Sequence, residues 1–357
     1  MSDTPAARDV ARAIDALRRG WPVKVTAGEE TLHLLAIESA DEHSLPAFDA
    51  DNNANILISA ARAQTLRLAN QREAANPEAP VLVQRERWID LAGAMALADP
   101  VQDLATPLKG PYRALPVVAA DAASAALRLA RLAGILPAFF VADTPVEAEA
   151  SATAAAIAAF GGGPQLHIAT RARLPVAASE DSEIVAFRTP GDPREHIALI
   201  IGKRDSSVPV VRLHSECLTG DVLGSLKCDC GPQLHGALHN IAHAQWGVLL
   251  YLRQEGRGIG LINKLRAYAL QDQGFDTVDA NVRLGFAIDA RDFSVAAQML
   301  KLLAVQQVRL LTNNPAKVAG LEAEGITVAE RLSHAIEANP HNARYLDTKR
   351  DRTGHKL

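Results

Sequence analysis

Three cysteines lie within fourteen residues of this 357-residue chain, and the chain has no others. Cys217, Cys228 and Cys230 stand in the run HSECLTGDVLGSLKCDCG. The odd number, and the close spacing of Cys228 and Cys230, argue against disulfides. Thiolates are ligands that zinc prefers, so the cluster predicts a zinc site around which this part of the chain must fold.

Two kinds of zinc site are open at this point. Three protein ligands leave one tetrahedral position for water, as in a catalytic zinc site. A histidine from elsewhere, such as His214 or His235, would instead complete a structural site. The cysteines alone do not decide between the two, and buried thiols without a metal are a third interpretation.

Composition is that of a soluble globular chain, with 48% hydrophobic and 22% charged residues. The length predicts two domains and is compatible with three. A net charge of −4 does not indicate a nucleic-acid-binding surface. The N-terminus lacks the apolar core of a signal peptide, and no apolar run is long enough to span a membrane. We therefore expect a cytoplasmic protein with no nucleic-acid or membrane partner, a setting in which thiols stay reduced.

The first half of the chain is rich in alanine. Its predicted elements are an amphipathic helix ending at Gly20, strands over 23–25 and 32–37, a helix over 121–132 closed by Gly134, and an alanine-rich helix over 151–160. The glycines that follow break the last helix and mark a boundary. We expect domains over residues 1–168 and 169–340, followed by a polar tail over 341–357.

The second half alternates strands with helices, which predicts an α/β domain with a mixed sheet. Its predicted strands cover 183–188, 196–201, 210–213, 247–252 and 308–312, and its predicted helices cover 233–244, 260–273, 292–303 and a stretch from 316. The first two strands flank the turn TPGDP and should form an antiparallel hairpin. The strand over 210–213 delivers His214 to Cys217 at its end.

Two turns in this half have the form of anion sites. RQEGRGIG lies between a strand and a helix, where free backbone N–H groups and the helix dipole favour an anion, and Arg253 and Arg257 add positive charge. LTNNPAKV repeats the arrangement, with Lys317 in the first turn of its helix. Taken singly, each is better explained as an ordinary strand–turn–helix connection. In GFAIDARDF, Asp289 and Arg291 are also explained by a surface ion pair without a catalytic role.

The combination of these features is more informative than any one of them. One short domain offers a zinc site, two anion sites and a carboxylate–arginine pair. This set is typical of metal-assisted hydrolysis of a phosphorylated substrate such as a nucleotide.

The second half resembles GTP cyclohydrolase II, the first committed enzyme of riboflavin synthesis. The similar strings are RLHSECLTGDVLGSLKCDCGPQL, YLRQEGRGIGLINKLRAYALQDQGFDTVDAN, LGFAIDARDF and LLTNNPAKV, in family order over roughly residues 175–350. The resemblance implies a zinc-dependent homodimer that hydrolyses GTP to formate, pyrophosphate and 2,5-diamino-6-ribosylamino-4(3H)-pyrimidinone 5′-phosphate. A Mg²⁺ ion on the GTP phosphates is also expected.

The resemblance further implies roles for individual residues. Cys217, Cys228 and Cys230 would bind zinc and leave its fourth position to water. Asp289 looks like the proton acceptor, Arg291 like the nucleophile or else a charge stabiliser, and Tyr268 like the residue that positions the reacting water. The implied GTP contacts are Arg212, Leu213, His214, Ser215, Glu216, Gln233, Glu255, Gly256, Arg257, Thr277, Thr312 and Lys317.

Two alternatives to this function stay open. A degenerate relative could be a regulatory, zinc-stapled nucleotide binder, although it would have no need to keep the cysteines with Asp289 and Arg291. A paralogue could use the same site in pyrimidine catabolism or stop at a formylated product.

Residues 1–168 resemble a degenerate 3,4-dihydroxy-2-butanone 4-phosphate synthase domain, through VARAIDALRRGWPVKV and ALRLARLAGILPAFFVAD. AGEETLHLLAIES stands where that family has an acidic Mg²⁺-binding cluster, and PLKGPYRALPVV lacks the histidine of its phosphate motif. We therefore expect this half to make no butanone phosphate and to serve as a scaffold, dimer surface or regulator.

Overall fold

The computed structural model describes residues 4–107, 109–160, 166–189, 192–286, 291, 293–334, 336, 339–343, 347 and 350–352. The helices are α1 (Pro5–Arg18), α2 (Ser44–Phe48), α3 (Ala60–Thr65), α4 (Leu91–Ala98), α5 (Ala120–Ala133), α6 (Ala154–Ala159), α7 (Cys230–His243), α8 (Leu261–Asp272), α9 (Thr277–Arg283), α10 (Ser294–Leu302) and α11 (Pro315–Ala323). The strands are β1 (Val23–Ala27), β2 (Glu30–Ala36), β3 (Asn55–Ile58), β4 (Val81–Val83), β5 (Ala114–Leu115), β6 (Ala138–Val141), β7 (Ala150–Thr153), β8 (His167–Arg173), β9 (Ser182–Thr189), β10 (Asp192–Gly202), β11 (Val210–Ser215), β12 (Trp246–Leu252), β13 (Gln307–Leu311) and β14 (Thr327–Leu332).

The first sheet has the order β5-β4-β3-β6-β2-β1-β7, with a parallel pair at β1 and β7 and antiparallel pairs elsewhere. Successive residues of a strand point to opposite faces. Leu34 accordingly packs with α1 and α5, whereas Leu35 belongs to a second core on the other face. That second core also contains Ala267 of α8 and Ala280 of α9, so helices of the second half cover one face of the first sheet.

The second sheet has the order β14-β13-β11-β12-β10-β9-β8. The strands β12, β11, β13 and β14 are parallel, and β8, β9, β10 and β12 form antiparallel pairs. α7 covers one face through Ala237 and Ile241, while α10 and α11 cover the other through residues such as Leu300 and Leu321. The α/β fold and the mixed sheet predicted for the second half are confirmed.

The element predictions hold in most places, including the β9–β10 hairpin and α1. Residues 151–153 are an exception, because they form β7 rather than the start of a helix. Pairing with β1 buries Ala152 and outweighs the helix propensity of the alanines, and Thr153 then caps the short α6. The helix predicted from Asp292 begins at Ser294, and Asp292 itself lies outside the described residues.

α9 and β14 were not predicted from the sequence. α9 is short and polar, and its start is marked by Asp276, whose carboxylate accepts hydrogen bonds from the N–H groups of Val278 and Asp279. In the part of the chain that the structure describes, no helix has the length and apolarity needed to cross a membrane.

Candidate active site

The site lies where three parallel strands of the second sheet end. His214 and Ser215 end β11, Gln254 follows β12, and Thr312 follows β13. Because neighbouring parallel strands end at the same edge of a sheet, the three turns converge there, as ligand sites of open α/β sheets do.

The three cysteine side chains meet at this edge. Cys217 follows β11, and Cys228 and Cys230 stand at the start of α7. Their Sγ atoms all lie within 4.8 Å of one another, and those of Cys217 and Cys228 are 3.7 Å apart. Tetrahedral zinc with Zn–S bonds of about 2.3 Å requires S···S distances of about 3.8 Å. The trio therefore has the donor type and spacing for zinc. Among the described residues, His214 and His235 do not belong to this group.

Gly220 explains why the thiols can come so close together. It lies in a π-helical turn over Leu218–Val222. A Cβ atom at this position would stand 2.8 Å from Cys228 Sγ, 3.0 Å from Cys217 Sγ and 2.9 Å from the Cβ of Cys230. The missing side chain leaves the space in which the thiols gather.

Lys264 of α8 supplies positive charge to the thiols. Its Nζ donates to Cys217 Sγ at 3.0 Å and to Glu255 Oε1 at 2.8 Å. Hydrogen bonds from the Cys228 and Cys230 thiols, together with the Lys264 ammonium, hold the pKa of Cys217 well below its usual range. Burial disfavours the charge on Lys264, but the bonds to Cys217 and Glu255 raise its pKa on balance. A thiolate is the form that binds a metal.

Asp221, in the turn over Leu218–Val222, ties Cys217 to two neighbouring strands. Its carboxylate accepts from the Cys217 N–H at 3.0 Å, the Tyr251 hydroxyl at 2.9 Å and His214 Nε2 at 3.0 Å. His214 is thus oriented by a carboxylate rather than by the thiols, and burial lowers its pKa. The neutral imidazole then leaves Nδ1 as an acceptor.

A cavity beside the thiols gathers basic side chains. It is lined by Arg212, Arg257, Lys264, Arg291 and Lys317. Arg212 is 5% exposed, its Nη2 donates to Gln233 Oε1 at 2.5 Å, and burial lowers its pKa to about 10. Five cationic groups around one cavity favour a polyanionic ligand.

Several buried polar atoms of the cavity have no hydrogen-bond partner within the described part of the protein. They are Arg212 Nε, His214 Nδ1 and Ser215 Oγ. Buried polar atoms are normally paired, and an unpaired set facing one cavity points to a bound group.

The turn after β12 approaches this cavity in an unusual backbone conformation. Gly256 has φ 62° and Arg257 has φ 60°, and α8 begins shortly afterwards at Leu261. The left-handed region is unfavourable for arginine, and such strain concentrates at ligand-binding turns. Here it brings the Arg257 side chain to the cavity.

Comparisons with known proteins agree with this geometry. A family model described as GTP cyclohydrolase II matches residues 167–333. A protein of Azospirillum brasilense named GTP cyclohydrolase-2 is 41% identical over 99% of this chain and 95% of its own length. The chain belongs to the GTP cyclohydrolase II family. This confirms the family and the class of enzyme identified from the sequence.

Other relatives match over about half of this chain. A GTP cyclohydrolase-2 of Cronobacter sakazakii is 55% identical over 54% of this chain and 98% of its own length. A riboflavin biosynthesis protein RibBA of Bacillus subtilis is 55% identical over 49% of this chain and 44% of its own length.

Most of the residues implied by the GTP cyclohydrolase II family line this cavity. They are Arg212, His214, Ser215, Glu216, Cys217, Cys228, Cys230, Gln233, Glu255, Gly256, Arg257, Tyr268, Thr277, Arg291, Thr312 and Lys317. They come from β11, from α7, α8, α9 and α11, and from the turns between elements, so the fold brings together residues that are up to 105 positions apart, from Arg212 to Lys317.

Three expectations need comment. Leu213 does not line the cavity, because its side chain is in the core of the second sheet; its carbonyl accepts from Lys317 Nζ at 2.7 Å. Arg253 also stands apart from the lining and pairs with Glu216 at 2.8 Å. Asp289 lies outside the described residues.

Sequence reasoning missed other lining residues, among them Lys264, Asn281 and His334. Lys264 precedes Tyr268 by four positions, so the helical repeat of α8 could have placed both on one face. His334 offered no such signal, since it follows β14 and reaches the cavity only through the fold. Its Nε2 donates to the Gln233 carbonyl at 2.8 Å.

Proposed function

We propose that this protein is a zinc-dependent GTP cyclohydrolase II. It would convert GTP and water into formate, pyrophosphate and 2,5-diamino-6-ribosylamino-4(3H)-pyrimidinone 5′-phosphate. The observation that carries the proposal is that three thiols at zinc spacing share one cavity with five cationic side chains. A purely structural zinc staple has no need of such a cavity.

Cys217, Cys228 and Cys230 would hold the ion, as their spacing and the space left by Gly220 support. Bound zinc supplies a Lewis acid that lowers the pKa of water beside the purine. Lys264 donates a hydrogen bond to Cys217 Sγ, and Asp221 accepts one from the backbone N–H of the same cysteine. Both contacts prepare the ligand set.

The triphosphate would lie along the two strand-to-helix turns. Lys317 and Arg257 bring positive charge to these turns, and α8 and α11 begin there with the positive ends of their helix dipoles. We expect a Mg²⁺ ion to arrive with the phosphates and to neutralise charge on the departing pyrophosphate. Arg212 adds a buried fixed charge whose Nε is available to a ligand.

Proton transfer and phosphate cleavage would fall to the remaining residues of the site. Burial raises the pKa of Tyr268, so its hydroxyl stays protonated and can orient the reacting water. We propose Asp289 as the proton acceptor from its place in LGFAIDARDF. Arg291 lines the cavity and would act on the α-phosphate, as a nucleophile helped by a base or as a charge stabiliser.

We also propose the division into domains 1–168 and 169–340 and a homodimeric state. Two separate sheets support the division. Exposed apolar side chains at Val222, Leu223 and Leu226, at the end of the turn over Leu218–Val222 and just after it, support self-association. Sedimentation of the zinc-loaded protein at twice the chain mass is the expected result, and a monomer at micromolar concentration would contradict it.

The reaction is tested by incubating the zinc-loaded protein with GTP and Mg²⁺ while formate, pyrophosphate and pyrimidine are followed separately. We expect the three products in equal amounts. Pyrophosphate with a formylated pyrimidine and no formate would indicate an altered paralogue. GTP binding without any product would indicate a regulatory nucleotide binder and would refute the proposed enzyme.

A further inference from the structure

α8 and α9 lie between the cavity and the first sheet. Ala267 and Leu270 of α8 share a buried core with Leu35 and Phe140 of that sheet, and Leu284, directly after α9, belongs to it as well. The adjacent side of α8 presents Lys264 and Tyr268 to the cavity, and Ala267 lies at the border between the two sides. One side of this helix therefore belongs to the candidate active site and the other to the core of the N-terminal half.

Polar contacts fix α8 in this place. Arg266 Nη1 donates to Glu38 Oε2 at 3.0 Å, and its Nε donates to Asp99 Oδ2 at 3.2 Å. These side chains are only 11–15% exposed, so solvent screens the ion pairs weakly. Asn263 adds a bond from its Nδ2 to the Gly134 carbonyl at 2.8 Å.

The N-terminal partners of Arg266 are themselves held in place. Glu38 Oε2 accepts the N–H of Leu136 at 2.6 Å, and Asp99 Oδ1 accepts the N–H of Val101 at 2.9 Å. Arg266 stands two residues from both Lys264 and Tyr268. A shift at this arginine must therefore move the side chains on either side of it.

The chain that leads to Arg291 also rests on the N-terminal half. Gly285 has φ +80°, and a Cβ atom there would stand 2.7 Å from Cγ of Pro137 and 3.3 Å from Oγ of Ser59. Phe286 follows in the shared core. The backbone is thus pressed against the first domain just before the segment that carries Asp289 and Arg291.

We propose that the N-terminal half positions one wall of the active site and that Arg266 is the positioning residue which transmits this. The proposal rests on the proposed function for the reaction that it supports. Displacing a reacting group by about 1 Å can cost a hundredfold in rate, so a wall seated on a neighbouring domain makes that domain necessary for turnover. The N-terminal half would then serve catalysis without any active site of its own.

The test uses the full-length, zinc-loaded protein in three forms: Arg266→Ala, the double variant Glu38→Gln/Asp99→Asn, and their combination. We expect kcat for formate release to fall about 10- to 100-fold in each, with KM for GTP changing less than about threefold. Arg266→Ala and the double variant remove the same ion pairs, one from each partner, so their effects should not add. The combined variant should therefore be no slower than Arg266→Ala. Arg266→Lys should recover part of the rate.

Arg128→Ala is the matched control, since Arg128 donates to the carbonyls of Ile157 and Ala158 within the N-terminal half, away from this interface. It should keep the kcat of the wild type. Wild-type kcat in the folded Glu38→Gln/Asp99→Asn variant would overturn the proposal.

Hydrogen–deuterium exchange over residues 261–283 provides a readout that does not depend on turnover. We expect faster exchange in Arg266→Ala and in the double variant, and unchanged exchange in both would also overturn the proposal. A wild type that releases no formate would refute the proposed function instead, and exchange would still decide whether the first half holds this wall.

Discussion

At the scale of single residues, the proposed zinc site depends on a glycine as much as on its cysteines. Gly220 contributes no ligand, but its hydrogen-only side chain leaves room for the thiols of Cys217 and Cys228. The cysteine motif could be read directly from the sequence. The need for Gly220 could not, because it follows from the packing of the π-helical turn against the start of α7.

Gly220→Ala should weaken metal binding because the added methyl group occupies the space between the thiols. We expect an affinity for zinc that is ~10- to 100-fold lower, the range seen when residues behind a metal ligand are altered. Competition with a chromophoric chelator measures it. Ser225→Ala is the control, a change in the same loop at a hydroxyl that accepts the Lys227 N–H. An unchanged zinc affinity in Gly220→Ala would contradict this prediction, because it would show that the turn accommodates the methyl group without moving the thiols.

His334 should make stability depend on pH. Burial first, and then repulsion from Arg212 and His214, lower its pKa from 6.5 to about 4, while the Gln233 carbonyl and Asp229 act in the opposite direction. Between pH 4 and 6.5 the imidazole of His334 is protonated in the unfolded chain but neutral in the folded protein. Stability is therefore complete above pH 6.5 and falls as the pH drops toward 4, by roughly 1 kcal/mol per pH unit.

Urea unfolding at pH 7.5 and 5.5 measures this dependence in the wild type and in His334→Asn. The wild type should lose more stability than the variant over this interval. Equal losses in the two proteins would contradict a buried, neutral His334.

At the scale of elements, sequence patterns predicted the strands that build the site. Apolar runs identified β11 and β12, and the glycine and asparagine turns after β12 and β13 predicted where α8 and α11 begin. Propensity failed at Ser151–Thr153, where pairing with β1 outweighs alanine's preference for helix. α9 escaped prediction because its sequence TVDANVR is short and polar, although it carries Thr277 and Asn281 to the cavity.

Asn314 allows the two roles of the turn before α11 to be separated. Its Oδ1 accepts from the Ala316 N–H at 2.9 Å, and the residue lines the cavity. Asn314→Ala should cost about 1 kcal/mol of unfolding free energy through loss of the cap. Asn314→Asp should keep the cap but raise KM for GTP, because its carboxylate repels phosphate.

Thermal unfolding of both Asn314 variants measures the change in unfolding free energy, and steady-state kinetics measures KM for GTP. If Asn314→Asp bound GTP as tightly as the wild type, the phosphates would have to lie elsewhere in the cavity.

At the scale of the whole molecule, two charged side chains of the first half, Glu30 and Lys109, are engaged by other groups of the protein. Glu30 Oε2 accepts the N–H of Ala122 at 3.1 Å, which ties this carboxylate to the start of α5. Lys109 is occupied by Asp103 and the Ala96 carbonyl, each at 2.5 Å. Neither group is placed as a ready metal or phosphate ligand. The shared core with α8 and α9 could not be predicted, since no local pattern reports which distant face a helix will cover.

We therefore predict that the pure protein forms no 3,4-dihydroxy-2-butanone 4-phosphate from ribulose 5-phosphate and Mg²⁺. Phosphate-ester analysis by ³¹P NMR after prolonged incubation is the measurement, with an active synthase as the positive control. Appearance of the butanone phosphate would show that the first half retains an active site.

The central claim is that the three cysteines hold a catalytic zinc ion, and Cys228→Ser tests it most directly. Formate release from GTP should be compared in the wild type, in Cys228→Ser and in Ser225→Ala, a change in the same loop that touches no thiol. We predict loss of bound zinc and of formate release in Cys228→Ser alone, with Ser225→Ala behaving as the wild type. Formate release at the wild-type rate by Cys228→Ser depleted of zinc would contradict the account.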